Sequence, residues 1–297
     1  MNSIFIDLKN AFSKPNNGLL KIILINVIVF LILLFTNIIF TLAKMPYVYE
    51  ILVDQLMLPA SFGAFIQKPW TLVTYFFTHA GFLHILFNML FLYWFGSLIM
   101  EFLGSEKLVN LFVLGGLAGG VFYIALYNGL PYFADQVATS RMLGASGGVF
   151  AVVVGAATFM PNYTIGLMLL GPVRIKYIAL FYVLYSVARA TGSNAGGEMA
   201  HIAGAAIGFL YIKQLQRGND LGKPITWVLH FFKNLFVRKP KVKVSYKSPY
   251  KANGKRHHRN FKNQQEEIDA ILDKISDSGY DSLTKEEKQK LFDASKN

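Results

Sequence analysis

The chain has no cysteine, which removes a disulfide scaffold, a thiolate metal site and a cysteine nucleophile together. Charge is scarce too. Of 297 residues, 15% are charged and 54% hydrophobic, whereas an ordinary soluble domain carries about 25% charged residues. Disorder is excluded for most of the chain, and a water-soluble globule is a poor fit. What charge there is sits unevenly. Arg217 to Lys262 holds 13 Lys/Arg and one acid, Asp220; the first 216 residues hold 11 basic and 7 acidic residues, and the last 35 hold 5 and 9. Three regions follow: an apolar body over 1–216, a basic juxtamembrane linker over 217–262, and a small acidic end over 263–297.

The body predicts an all-α, polytopic membrane protein with six transmembrane helices. Leu19 to Ala43 is a 25-residue run with one charge, Lys21, at its start, long enough to cross a bilayer. It lacks the small-residue cleavage pattern of a signal peptide. Phe82 to Leu103 and Leu108 to Leu130 are the second and third segments. Gly144 to Met160, rich in glycine and alanine, is a short fourth. The fifth lies around Ile175 to Ala190 and the sixth from Met199 to about Ile212. With the N-terminus in the cytoplasm, Lys9, Lys14, Lys21, Lys107, Arg174, Lys176, Lys213 and the basic linker fall inside, and only Lys44, Lys68, Arg141 and Arg189 outside. The positive-inside rule therefore places both termini in the cytoplasm.

Behind the body, Pro224 to Val237 reads as an amphipathic stretch lying in the membrane interface. The Lys/Arg-rich segment after it resembles a nucleic-acid patch in composition, but attraction to anionic lipid heads beside a cytoplasmic exit is the simpler account, and no nucleic-acid partner is expected. The acidic end predicts a helical hairpin: Ile268, Ile271, Leu272 and Ile275 form one stripe, Ser278-Gly279 breaks it, and Thr284 to Glu287 is a capping box opening a second helix with Leu291 and Phe292. The stripe suits either a cytoplasmic partner or packing of the two helices on each other.

Polar side chains are costly in hydrocarbon, so they mark where function sits. His79 and His84 flank the start of the second segment, with Asn88 one turn on. Gly144-Ala-Ser146-Gly-Gly opens the fourth, and Ala200-His201-Ile-Ala-Gly204 opens the sixth. By the topology above, all three starts share the external side. A serine hydroxyl becomes a nucleophile when a base takes its proton, and histidine is the usual base near neutral pH. Small residues at Gly147, Ala151, Gly155, Gly204 and Gly208 let the fourth and sixth helices pack closely. His84 and Asn88, four apart, project from one helix face, suited to donating to an oxyanion. Asp54, Asp135 and Glu198 read as loop residues, so a Ser146–His201 dyad is expected rather than a triad.

Other readings remain at this level. Gly-x-Ser-Gly in an alanine-rich span also serves helix packing, and His84 and Asn88 could pin helices or, with His79, hold a metal. That donor set is incomplete without a carboxylate or thiolate, no His-Glu-x-x-His occurs, and no metal or cofactor is expected. Gly115-Gly116-Leu-Ala-Gly119-Gly120 has no P-loop lysine and reads as packing. A histidine-based proton relay in a transporter would want intramembrane carboxylates, which the body lacks apart from Glu101 at a cytoplasmic exit.

Together these motifs resemble the rhomboid family of intramembrane serine proteases over roughly Pro69 to Lys213. His79-x4-His84-x3-Asn88, Gly144-x-Ser146-Gly147 and Ala200-His201-x-x-Gly204 are similar to its second-, fourth- and sixth-helix motifs, and Trp70 and Glu101-Phe-Leu-Gly104 also fit. The resemblance implies a serine endopeptidase, in a bacterial six-helix form of the inner (plasma) membrane, cutting the transmembrane segments of other membrane proteins. Ser146 and His201 would be the dyad, with His84, Asn88 and the Ser146 N–H as the oxyanion hole. His79 and Gly144 would have supporting roles, and Phe150 would be the aromatic on which the histidine stacks. Thr71 stands where the family often has arginine, and Arg141 to Leu143 matches no motif. A non-catalytic relative of the same fold would lack the serine or the histidine; this chain has both.

Overall fold

The computed structural model describes residues 16–167, 171–236 and 257–294, and all their main elements are helices. Lys9, Lys14 and the basic stretch 237–256 fall outside the described residues. In chain order the helices are α1 (Gly18–Leu42), α2 (Pro46–Asp54), α3 (Phe62–Gln67), α4 (Thr71–Thr74), α5 (Phe82–Leu103), α6 (Ser105–Gly129), α7 (Ser146–Phe159), α8 (Ile175–Ala188), α9 (Ala195–Gln216), α10 (Lys223–Phe236), α11 (His257–Ser278) and α12 (Lys285–Ala294). The described residues form two compact units, Met1–Arg238 and Lys239–Asn297.

Each of the six apolar segments forms a helix. Three of them, α1, α5 and α6, have 25, 22 and 25 residues and are long and apolar enough to cross a membrane. Of the other three, α9 has 22 residues, and α7 and α8 have only 14 each. At 1.5 Å per residue such a helix rises about 21 Å, short of a hydrocarbon core about 30 Å thick. By length alone, neither α7 nor α8 crosses such a core end to end.

Two boundaries differ from the sequence reading. Gly104, at φ +86°, ends α5 and reverses the chain at once, so α6 begins at Ser105 rather than Leu108. The sixth helix starts at Ala195, four residues before Met199, which puts Glu198 in its first turn and not in a loop.

The central element is α7, with ten of its 14 residues buried among α5, α6, α8 and α9. Glycine makes this possible. A Cβ on Gly204 of α9 would run into the backbone of Gly147, and one on Gly208 into the backbone of Ala151. The two helices thus meet backbone to backbone directly below Ser146. The outer helix α1 rests on α5 and α6 through Leu19, Ile22 and Asn26, and its Gly18 N–H donates to Ser105 Oγ at 2.7 Å. Its other face, including Phe35 and Ile39, is exposed as a lipid-facing surface would be.

Two small ladders complete the unit. Antiparallel β1 (Leu58–Pro59) and β2 (Arg141–Met142) tie the loops before α3 and before α7 together. A second pair, β3 (Thr164–Leu167) and β4 (Gly171–Arg174), lies between α7 and α8.

The segment read as a linker from 217 is partly built into the bundle. Asp220 Oδ2 accepts from Lys107 Nζ at 2.6 Å, Tyr211 donates to the other oxygen at 3.2 Å, and Asn110 Nδ2 donates to Thr226 Oγ1 at 2.8 Å. These bonds fix α10 to α6 and carry the unit's edge to Arg238 rather than 216. The reason is long-range: Asn110 is fully buried within an apolar helix and needs a partner.

In the second unit α11 begins at His257, upstream of the expected 263. Gly279, at φ +75°, follows its last residue as a helix-terminating glycine. Thr284 N–H donates to Glu287 Oε2 at 2.7 Å and Glu287 N–H to Thr284 Oγ1 at 3.3 Å, the reciprocal capping box of α12. Of the apolar stripe, Ile271 is buried with Leu283, while Leu272 is 49% exposed.

Candidate active site

A cavity of about 890 Å³ opens among the helix starts, lined by Ser146, His201, His84, Asn88, Gly144 and Phe150 among others. His201 Nε2 and Ser146 Oγ are 2.7 Å apart, a short hydrogen bond between residues 55 positions distant in the chain. Ser146 is the first residue of α7, and the opening N–H groups of a helix have no intrahelical acceptor. They point with the positive end of the helix dipole at any oxyanion formed beside the serine. Phe150, one turn on, stacks on the His201 ring with centroids 4.4 Å apart and planes 10° from parallel. This fixes the imidazole plane while leaving both ring nitrogens in reach of partners.

Gly144 has φ +122°, a conformation that favours glycine, and a Cβ there would lie 2.8 Å from His84 Cε1. Its N–H donates to Tyr75 O at 2.9 Å, and the Tyr75 hydroxyl donates to Gly116 O at 2.5 Å. The loop carrying the serine is thus held from below by α6. His79 precedes α5 instead of lying on it. Its ring packs on His84 at 5.1 Å, and its Nε2 accepts weakly from Ala145 N–H at 3.4 Å. His79 therefore braces the serine loop and the neighbouring imidazole without entering the cavity lining. Asn88 Nδ2 donates to His84 O at 2.8 Å; an amide nitrogen carries two hydrogens, so that bond uses one of them. Among the described residues no group of three His, Asp or Glu side chains is arranged to hold a metal ion.

The motifless stretch at Arg141 has a structural part to play. Arg141 Nε donates to Asp54 Oδ1 at 2.9 Å, and Lys68 Nζ to Asp54 Oδ2 at 2.5 Å. Asp54 closes α2 rather than lying in a loop. The Lys68 ammonium bonded to it, aided by Arg141, holds its carboxyl below the usual carboxylate range despite partial burial. Buried Thr71 donates its hydroxyl to Lys68 O at 2.6 Å, and Trp70 Nε1 donates to Gln55 O at 2.9 Å. The loop outside α5 is thereby pinned to the strand that leads to Ser146.

Of two residues beside the site, Glu198 reads from the sequence as a loop acid outside the dyad, and Ser186 is not singled out there. Glu198 Oε2 and Ser186 Oγ each lie 3.2 Å from His201 Nδ1, on the side of the ring away from Ser146. Glu198 is 5% exposed. Its position three residues before the histidine on one helix was a signal the sequence carried.

A bundle of apolar helices around an inward-facing hydroxyl–imidazole pair defines a multi-spanning membrane protein with a reactive polar site. Comparison with known proteins agrees. A model described as the Rhomboid domain matches residues 67–217, and one described as a family of unknown function (DUF6576) matches 255–297. The chain belongs to the rhomboid family. It is 31% identical over 158 residues to "RHOMBOID-like protein 12, mitochondrial" of Arabidopsis thaliana, covering 50% of this chain and 47% of that protein. With "Rhomboid-like protein 16, chloroplastic" of the same plant it shares 28% over 159 residues, covering 50% and 49%. With "Presenilin-associated rhomboid-like protein A, mitochondrial" of Danio rerio it shares 28% over 142 residues, covering 46% and 35%. The chain spans about half the length or less of the curated relatives it matches.

Proposed function

We propose that this protein is an intramembrane serine endopeptidase that hydrolyses a peptide bond in or near the transmembrane segment of other membrane proteins. The observation that carries the reading is the 2.7 Å contact between Ser146 Oγ and His201 Nε2 in a cavity among apolar helices. His201 Nε2 takes the Ser146 proton as the oxygen attacks the scissile carbonyl, then gives it to the leaving amine. The opening N–H groups of α7, with His84 and Asn88, hold the oxyanion; His79 and Gly144 support the loop. Water entering the cavity is activated by the same imidazole and frees the acyl group. The short α7 supports the water supply, since its serine end stops where an aqueous cavity can reach it.

Charge asymmetry supports an orientation with both termini cytoplasmic and the cavity open to the external side, in a bacterial plasma membrane in keeping with the six-helix form. The basic composition of 237–256 suits attraction to anionic lipid heads, and the small unit Lys239–Asn297 offers Leu272 to a cytoplasmic partner. The test is a fluorophosphonate label on the protein in detergent, together with cleavage of a model transmembrane substrate. Both are expected in the wild type and absent in Ser146→Ala and His201→Ala. Cleavage that survives either substitution overturns the assignment.

A further inference from the structure

The nitrogen of His201 turned away from Ser146 faces two partners at equal distance, Glu198 Oε2 and Ser186 Oγ, each at 3.2 Å. The remaining Glu198 oxygen, Oε1, accepts from Arg189 Nε at 3.0 Å. The Glu198 side chain is 6% exposed and that of Arg189 48%. We propose that Glu198 is a positioning residue for His201, so that this chain extends the serine–histidine pair into a three-membered Ser146–His201–Glu198 arrangement, with the Ser186 hydroxyl steadying the carboxylate. The inference rests on the serine-protease reading above and adds to it a residue outside that pair.

The tautomer of His201 is what Glu198 controls. For Ser146 O–H to donate to Nε2, that nitrogen must be bare, so the single proton of the neutral ring must sit on Nδ1. A hydroxyl such as Ser186 both donates and accepts, so alone it would tolerate either tautomer. An ionised carboxylate only accepts, and therefore selects the Nδ1–H form. When the serine proton arrives, the same carboxylate faces the resulting imidazolium. Glu198 lies in the first turn of α9, where the helix dipole favours a negative charge. A buried carboxylate needs charged or hydrogen-bonded partners. Were its role only to bind Arg189, one oxygen would suffice; the second is instead aimed at the catalytic ring. Glu198 and His201 are three residues apart on one helix, so their separation does not depend on any other element.

The test uses the full chain purified in detergent, with cleavage of a model transmembrane substrate followed from pH 5 to 9. Other titratable or charged groups lining the site or near it are Tyr75 and His79 before α5, His84 on α5, Tyr123 and Tyr127 on α6, Arg141 on β2, and Tyr182, Tyr185 and Arg189 on or after α8; all are present in every variant. Glu198→Gln is expected to lower kcat by about 10²- to 10⁴-fold, the scale on which a wrongly held tautomer is felt, with little change in KM. Its acid limb should move to lower pH, because the imidazolium has lost its counter-charge. Glu198→Asp should recover part of kcat and keep the limb in place, and Ser186→Ala should lower kcat by less than Glu198→Gln does. A Glu198→Gln enzyme with wild-type kcat and an unmoved limb, beside an inactive Ser146→Ala, overturns this inference alone. Inactivity of the wild type, or activity in Ser146→Ala, overturns the protease reading and this one with it. Should Glu198→Gln fail to fold, nitrogen-15 spectra of histidine-labelled wild-type protein decide. At neutral pH His201 must carry its proton on Nδ1, and a proton on Nε2 overturns the proposal.

Discussion

Adding one methyl group at Gly204 should separate the two helices that hold the serine and the histidine. A Cβ there meets the carbonyl and Cα of Gly147, the residue after Ser146, and backbone has no rotamer by which to retreat. Relieving such an overlap to ordinary van der Waals contact takes a displacement on the order of 1 Å. The Nε2–Oγ distance of 2.7 Å would then pass beyond hydrogen-bonding range. A misplacement of about 1 Å costs roughly 100-fold in rate, and the overpacking about 1–3 kcal/mol of stability. Gly155→Ala is the matched control on α7. Its Cβ would approach Leu111 Cδ2 at 2.7 Å, the far end of a flexible side chain that can turn aside. The assay compares fluorophosphonate labelling rates of the wild type and both variants after each has been shown to be monodisperse, with its melting temperature measured. Gly204→Ala should label about 100-fold more slowly and Gly155→Ala within a few-fold of wild type. A folded Gly204→Ala that labels at the wild-type rate would refute the idea that backbone contact sets the Ser146–His201 distance.

Other outcomes follow from the same geometry. Asn88→Ala should lower kcat by about 10- to 1000-fold, the range for a lost oxyanion donor, whereas a chelator should leave turnover unchanged; a chelator-sensitive enzyme would revive the metal reading. Because the Asp54 carboxyl is held below its ordinary range by Lys68 and Arg141, its contribution to stability is present above the unfolded value near 3.8 and is lost as pH falls through the lower folded value. The melting temperature in detergent should therefore drop in that acid window, and Asp54→Asn should flatten that part of the profile; the effect is small, about 1 kcal/mol or less for a partly exposed pair. Truncation after Arg238 should leave a folded protein that still cleaves a generic substrate, while truncation after Arg217 should lower the melting temperature by removing the partners of Asn110 and Lys107, as circular dichroism on both would reveal.

The residues around the cavity were legible because each is expensive in an apolar run. Ser146, His84, Asn88 and His201 stand out where hydrophobicity is otherwise unbroken, and glycines at helical spacing announce the close packing that joins them. Glu198 was not legible in the same way. It follows Gly196-Gly197, a composition that reads as loop, so the start of α9 was set too late and the carboxylate was assigned outside the helix. Ser186 is a single small hydroxyl in an aromatic-rich span and carries no pattern at all. The β1–β2 ladder is two residues long, too short for any period, and depends on partners more than 80 positions apart. The bonds of α10 to α6 are of that kind too: Thr226 and Asn110 pair 116 positions apart, and only the burial of Asn110 explains why an interfacial stretch stays with the bundle.

The helix α8 has just three buried residues, Ile175, Ala179 and Ser186, and presents Phe181, Leu184 and Val187 outward. It is the wall of the site with the fewest side chains buried. Ser186 and Arg189 travel with it, whereas Glu198, His201 and the glycines locked to α7 belong to one stiff body. Any sideways excursion of that wall would strip two polar partners from the carboxylate but leave the imidazole and its acid neighbour in register. The alignment of the reacting groups is thereby insulated from the looser side of the cavity, much as a hinge pin keeps its seat while the door swings.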